Sequence, residues 1–151
     1  MMAEVVASPV SRLVTQELPQ MNAEGTPVAV VTDAMLFSDT VLQVLEVYSG
    51  TVPTAITVMQ TGGVSPSTGN VEGPIDDPLY EVGEVYVLFL VDITGDPIQA
   101  PDAERYRTVS PAGRFLLDGS SVRSYWLDEQ VRAVQPTTLE DLLAQIRQAS
   151  P

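Results

Sequence analysis

The sequence predicts an all-β domain that carries a single C-terminal α-helix. Most apolar residues lie in short, valine-rich stretches whose alternation is typical of half-buried strands. Residues 85–91 are apolar throughout, and this run is too short to span a membrane, which indicates a strand covered on both faces. The clearest helical stripe lies at the C-terminal end, where Leu139, Leu142, Leu143 and Ile146 repeat with helical spacing.

The first element is an extended segment over residues 4–17 that Pro9 interrupts. Because proline has no N–H to donate, we expect this strand to bend, to carry a bulge or to lie at a sheet edge. The polar residues 18–27 are predicted to form a loop. A long extended region is expected over residues 28–50, with a break near residues 33–39.

The middle of the chain continues this pattern. Residues 40–48 also fit a helical stripe, but their valine content and the Ser49-Gly50 pair that follows favour a strand. Residues 54–60 alternate as a half-buried strand and end at Gly62-Gly63, where the backbone needs unusual angles or close packing. Residues 64–78 form a long loop without periodicity, which is typical of mobile or functional segments.

The C-terminal part begins with a turn over residues 81–84 that leads into the run 85–91. A second polar loop is expected over residues 92–102, and a short strand over residues 105–109. Asp118-Gly119 predicts a hairpin with a type I′ turn. The helix is predicted over residues 137–149, with Thr137 as its N-cap and Glu140 completing a capping box.

The charge of the chain is its most unusual property. Twenty acidic residues against seven basic ones, all arginine, give a net charge of −13. Such a surface repels phosphate backbones and anionic lipid headgroups, so a nucleic acid is an unfavourable partner. No apolar run is long enough to span a membrane, so no membrane insertion is expected within this chain. The partner predicted instead is a protein or a neutral ligand. The oligomeric state is open, and an uncovered edge strand near Pro9 could pair with a second copy.

The residue types also limit the chemistry. The chain contains no cysteine, histidine or lysine, which excludes a cysteine nucleophile, a Ser-His-Asp triad, a zinc site with Cys or His ligands and a lysine Schiff base. No residue is therefore assigned as catalytic, cofactor-binding or metal-ligating, and no enzyme activity is expected. The absence of cysteine leaves the redox compartment undefined.

Several motifs carry a resemblance to a known group of proteins. They include Val-Leu-Glu-Val-x-x-Gly at residues 44–50, Ile-Thr-Val-Met-Gln-Thr-Gly-Gly at 56–63 and Leu-x-x-Val-Gly-Glu-x-Tyr-Val-Leu-Phe-Leu at 79–90. Tyr-x-x-Val at 106–109, Gly-x-Phe-x-Leu-x-Gly at 113–119 and the Leu-Glu-Asp-Leu helix from Leu139 follow. In this order they resemble uncharacterised bacterial extracytoplasmic domains of the lipoprotein type, whose barrel is similar to netrin-like and tissue-inhibitor-of-metalloproteinase-like modules.

The resemblance implies an OB-like β-barrel of five to six strands, in one domain over residues 1–151, with the C-terminal helix. It also implies an extracytoplasmic protein, secreted or membrane-anchored, whose export signal is not among these residues. Two departures stand out. Pro9 interrupts the first strand where a regular strand is expected, and the N-terminal cysteine through which the metalloproteinase inhibitors act is missing.

Three alternatives for function follow. The first is a non-enzymatic binding module of the cell envelope, with the loops at residues 64–78 and 92–102 as its contact surface. The second is a calcium-dependent adhesion or carbohydrate-binding domain, since carboxylates on a flexible loop suit Ca²⁺. Its ligands would come from the acidic cluster Glu72, Asp76, Asp77 and Glu81. The third is a hydrolase using two carboxylates, although no pair is singled out.

A further cluster combines aromatic and basic residues, as the ligand-binding face of an OB-fold does. Its members are Tyr106, Phe115, Tyr125 and Trp126 with Arg105, Arg107, Arg114 and Arg123. Packing between strands, with the arginines paired to the abundant acids, is the simpler interpretation.

Overall fold

The structure, a computed structural model, describes residues 1–101, 103–125 and 127–149. The described residues form eleven strands, one 3₁₀ turn and two helices. In chain order these are β1 (Met2–Val5), β2 (Val10–Met21), β3 (Pro27–Glu46), β4 (Ala55–Thr61), β5 (Gly63–Val64), β6 (Val71–Glu72), β7 (Val85–Leu88), β8 (Leu90–Asp92), β9 (Tyr106–Thr108), the 3₁₀ turn (Pro111–Gly113), β10 (Arg114–Asp118), β11 (Ser121–Ser124), α1 (Glu129–Val134) and α2 (Leu139–Ala149). The predicted all-β class with a C-terminal helix is confirmed.

Nine of these strands form one curled sheet in the order β11-β10-β7-β1-β3-β4-β9-β8, with β2 paired to β3. Phe89 alone separates β7 from β8, so the two strands act as one bent strand. The Phe89 N–H donates to the carbonyl of Gly113, and its own carbonyl accepts from the N–H of Val109. The run predicted over residues 85–91 is therefore extended, but it bends at Phe89 to join two parts of the sheet.

The concave side of the sheet holds the main core. Its buried members are Ala3, Val5, Leu42, Ile56, Val58, Tyr80, Tyr86, Leu88 and Tyr106. A second cluster lies on the other side of β7 and β10, where Leu142 of α2 packs on Val87, Phe115 and Val122. Full burial of a side chain of this size contributes about 1.5–3 kcal/mol. The apolar stripe of α2 thus docks on the sheet.

Two predictions about the N-terminal part are wrong in detail. Residues 18–21 belong to β2 rather than to a loop, because they pair with β3 as far as Met21. The break expected near residues 33–39 is absent, since β3 is continuous from Pro27 to Glu46. The interruption at Pro9 is confirmed, as β1 ends at Val5 and β2 begins at Val10.

Two local details at the C-terminal end also differ. In the hairpin, Asp118 pairs with Ser121, so the turn residues are Gly119 and Ser120. Gly119 alone has positive φ, at 60°, which fits a type II′ turn because type I′ needs positive φ at both positions. Helix α2 begins at Leu139 rather than near residue 137, and its cap is Thr138, whose Oγ1 accepts from the N–H of Asp141.

Helix α1 is an element that the sequence did not predict. The side chain of Asp128 caps it, accepting from the N–H groups of Gln130 and Val131. Neither described helix is long and apolar enough to cross a lipid bilayer.

Candidate interaction surface

Residues 17–34 of β2 and β3 form a two-stranded arm that extends beyond the curled sheet. Every residue of this arm is exposed. Strand β3 pairs with β4 only from Phe37 onward, and the partner of β2 within the described chain is β3. The arm is therefore a ribbon without a core of its own, attached to the barrel at one end.

The arm exposes apolar side chains on both of its faces. Residues directly opposite each other in the ribbon share a face, so Leu18 lies beside Val31 on one face and Pro19 beside Val30 on the other. Val30 is 64% exposed, and Val28 is 61% exposed. The charged residues of the arm are Glu17, Glu24 and Asp33. An exposed apolar patch on a soluble domain is typical of an interaction site.

The tip of the arm is an ordered turn. The Asn22 side-chain oxygen accepts from the N–H of Glu24 at 3.0 Å and from the N–H of Thr26 at 2.9 Å. Gly25 has φ 77°, a conformation that favours glycine. The turn thus connects the two strands through hydrogen bonds of its own.

The base of the arm is the part of β2 and β3 in which residues 10–13 pair with residues 36–39. An ion-pair cluster lies on one face of this base. Asp39 Oδ2 accepts from Arg12 Nε at 3.0 Å and from Arg105 Nε at 2.9 Å. Arg12 also donates to the carbonyl of Gln99. Gln99 itself is fixed by Asp96, whose carboxylate accepts its N–H at 2.7 Å. The loop of residues 92–102 is therefore attached to the arm, although Asp102 lies outside the described residues.

The loop of residues 64–78 contacts the opposite face of the base. Ser11 Oγ accepts from the N–H of Val64 at 2.7 Å. The chain reaches this position through Gly62 and Gly63, and a Cβ on Gly63 would lie 2.6 Å from Ser11 Oγ. Both loops predicted as a contact surface thus lie at the base of the arm and brace it.

A buried arginine lies inside the barrel, below the loop of residues 64–78. The Arg114 side chain is 0% exposed, and its Cζ lies 3.8 Å from the ring centre of Tyr80. Its NH2 donates to the hydroxyl of Tyr86 at 2.8 Å, and its NH1 donates to Asp77 at 3.1 Å and to the carbonyl of Pro78. This arrangement anchors the end of the acidic loop to the interior.

The acidic cluster is divided by these contacts. The Asp77 carboxylate accepts from Arg114 and, at 2.9 Å, from Gln60 Nε2. Glu72 lies elsewhere, in β6, where it accepts from Thr68 Oγ1. Among the residues that the structure describes, no three acidic side chains are grouped closely enough to hold a metal ion.

Burial raises the pKa of the Asp77 carboxyl above its usual value, against the opposing attraction of Arg114. A carboxyl with a raised pKa binds its proton more tightly in the folded chain, so its stabilising contribution is present at low pH and is lost as pH rises through the folded-state pKa. We expect wild type to lose stability relative to Asp77→Asn as pH rises from about 4. Urea unfolding of wild type and of Asp77→Asn between pH 4 and 7 measures the two free energies of unfolding. A difference between them that stays constant with pH would contradict this expectation.

The predicted aromatic and arginine cluster does not form a single face. Arg105 binds Asp39, and Arg107 donates to Gln99 Oε1 at 2.9 Å. Arg123 lies 5.3 Å from the ring centre of Tyr125 on the hairpin. Tyr106 and Phe115 belong to the two different core clusters. Trp126 lies outside the described residues.

A second apolar surface lies between α2 and the bend of the central strand. Its cavity of about 400 Å³ is lined by residues that include Phe89, Val109, Phe115, Val134 and Ile146. The cavity is open to solvent and its lining is mainly apolar, with Ser110, Gln135 and Gln145 as its polar members.

Comparison of the chain with protein-family models found no matching family, and comparisons with curated proteins and with solved structures found no significant match. The function proposed below therefore rests on the geometry of the chain and on the resemblance in its motifs.

Proposed function

We propose that the chain is a non-enzymatic interaction module of the bacterial cell envelope that contacts its partner through the arm of residues 17–34. The exposure of apolar side chains on both faces of the arm carries this proposal. A ribbon of this kind buries little apolar surface within its own chain, so it gains stability when a partner covers it. The loops of residues 64–78 and 92–102 then serve as supports of the arm.

The strand order supports an OB-like barrel as the scaffold. The path runs from β1 through β3, β4 and β9 to β8, and it returns to β1 through β7. With β7 and β8 counted as one bent strand, this path has five strand positions, as an OB-like barrel does. The placement in the cell envelope rests on the resemblance in the motifs.

The residue content supports a role without catalysis. Histidine, cysteine and lysine are absent from the chain, and Asp77 of the acidic loop is engaged by Arg114. The partner is a protein or a neutral ligand, because the net charge of −13 disfavours nucleic acid.

Photo-crosslinking in cells tests the arm as the contact surface. A photoreactive amino acid replaces Val28 on the arm or, as a matched control, Val134 on α1, and both positions are strongly exposed. We expect a discrete crosslinked product from position 28 and none from position 134. Failure of position 28 to give any product, of whatever mass, would contradict the proposed function.

A further inference from the structure

We propose that the free edge of β3 pairs with the same edge of a second copy of this chain, joining two arms into one antiparallel sheet. This inference rests on the proposed function, since it names the partner of the arm. The free edge is the side of β3 that faces away from β2, over residues 27–35. Strand β4 covers this side only beyond it, beginning with the bond from the Gly62 N–H to the Leu36 carbonyl at 2.7 Å.

The backbone of this edge is directed outward. In a strand, alternate residues direct their N–H and C=O groups to the same side. The Leu36 carbonyl points to the β4 side. The N–H and C=O groups of the even-numbered residues before it therefore point to that side as well. These residues are Val30, Thr32 and Ala34, and the alternation is counted no further because the pairing with β2 shifts between Ala29 and Pro27. The position of Pro19 agrees with this pattern, because it lies opposite Val30, where β2 needs no N–H donor.

The outer edge of β2 is a poorer site for strand addition. Pro19 carries no N–H there, and Glu17 places a charge near the middle of the strand. Proline and charge are features with which proteins protect an edge from pairing. The free edge of β3 lacks proline after Pro27 and has one charge, at Asp33. The edge near Pro9 that the sequence suggested is thus replaced by an edge further along the hairpin.

A two-fold axis at Val30 gives the register that fits best. It places Val30 opposite its own copy, where the two residues form a hydrogen-bonded pair with two bonds, and it places Val28 opposite Thr32. Asp33 then faces Pro27, and no charge faces a charge. With the axis at Val31, Thr26 would lie opposite Leu36, whose carbonyl already accepts from the N–H of Gly62.

Charge selects a second copy over a basic partner. Residues 18–32 contain one charged residue, Glu24, although the chain carries a net charge of −13. Two copies therefore repel each other over most of their surfaces and meet at lowest cost along this segment. A basic partner would be drawn to the acidic surfaces instead. A two-fold dimer needs one patch that is complementary to itself, which the Val30 register supplies.

The expected dimer is reversible. Nine residues of edge extend over about 30 Å. Pairing along such an edge, with the flanking valine side chains, buries at most the area of about 800 Å² per partner that is usual for a stable interface. We therefore expect a dimer that forms at high protein concentration and dissociates on dilution.

Sedimentation equilibrium of the purified chain tests the association. We expect the mass to rise from the 16.2 kDa of one chain to twice that value with concentration. Val30→Glu places two like charges opposite each other and should restore the single-chain mass at every concentration. Gln20→Glu adds the same charge to β2 and should leave the dimer intact. Wild type that stays monomeric, or a dimer that survives Val30→Glu, would overturn the inference.

Disulfide trapping tests the register, without background because the native chain has no cysteine. In the Val30 register, Ala29 lies opposite Val31 of the second copy in a non-hydrogen-bonded pair, close enough for a disulfide. Oxidation of a mixture of Ala29→Cys and Val31→Cys chains should give the disulfide-linked heterodimer as the main product. Homodimers of either variant as the main product would refute this register. The photo-crosslinking experiment also bears on self-pairing. Crosslinked products from position 28 whose mass differs from that of two copies of this chain would reject self-pairing while retaining the arm as the contact surface.

Discussion

Replacing Arg114 with methionine is expected to lower the free energy of unfolding by about 3–5 kcal/mol, the cost of removing one partner from a buried charged pair. The guanidinium is enclosed by tyrosine rings and binds Asp77, Pro78 and the hydroxyl of Tyr86. Without it, the Asp77 carboxylate loses its counter-charge and shares Gln60 as a donor with the Pro78 carbonyl, and the Tyr86 hydroxyl loses the N–H that it accepts. Urea unfolding at neutral pH measures the change, and the melting temperature should fall by about 2–4 °C for each kcal/mol.

A control on the same hairpin separates this effect from a general loss of charge. Arg123 is exposed and lies over the ring of Tyr125, so Arg123→Met should change stability by no more than about 0.5 kcal/mol. Arg114→Lys should recover little, because one ammonium cannot reproduce a planar group that stacks and donates from several nitrogens. An Arg114→Met protein as stable as wild type would mean that the network contributes nothing net to folding.

The burial of Arg114 was difficult to predict because charged residues are almost always exposed. One local signal pointed to it. Arg114 and Leu116 lie two residues apart in β10, so they share a face of the strand, and Leu116 packs against the main core. The sequence does not show that Asp77, which is 37 residues away, lies beside Arg114. Its carboxylate compensates the buried charge of the guanidinium.

The existence of the strands is predicted by the local alternation of apolar and polar residues, which is a property of neighbouring residues. The lengths and bends of the strands are not predicted by this alternation. The polar composition of residues 18–27 predicts a loop, yet residues 18–21 pair with β3, and Pro19 is accommodated because it lies at an outer edge where no N–H is needed. The bend at Phe89 depends on Gly113 and Val109, which meet it only after folding. The arm was missed for the same reason, since its exposure depends on where β4 stops.

The glycine pair after β4 was predicted to need special backbone geometry, and Gly62→Ala is expected to destabilise the protein by about 2 kcal/mol or more. Gly62 has φ 97°, and a Cβ there would lie 2.4 Å from the Glu72 carbonyl oxygen and 2.7 Å from Gly73 Cα. Both contacts are with backbone, so neither is relieved by turning a side chain. Thermal unfolding of the purified variant measures the loss.

Gly69→Ala is the matched control, because Gly69 also has positive φ, at 72°, but a Cβ there meets no atom within 4 Å. It should cost about 1 kcal/mol, the strain of a left-handed conformation alone. The difference between the two variants isolates the contact between Gly62 and β6. Because that contact holds the loop of residues 64–78 against the base of the arm, Gly62→Ala should also speed proteolysis within the loop. Equal losses in both variants would show that the close approach of Gly62 and β6 adds no stability.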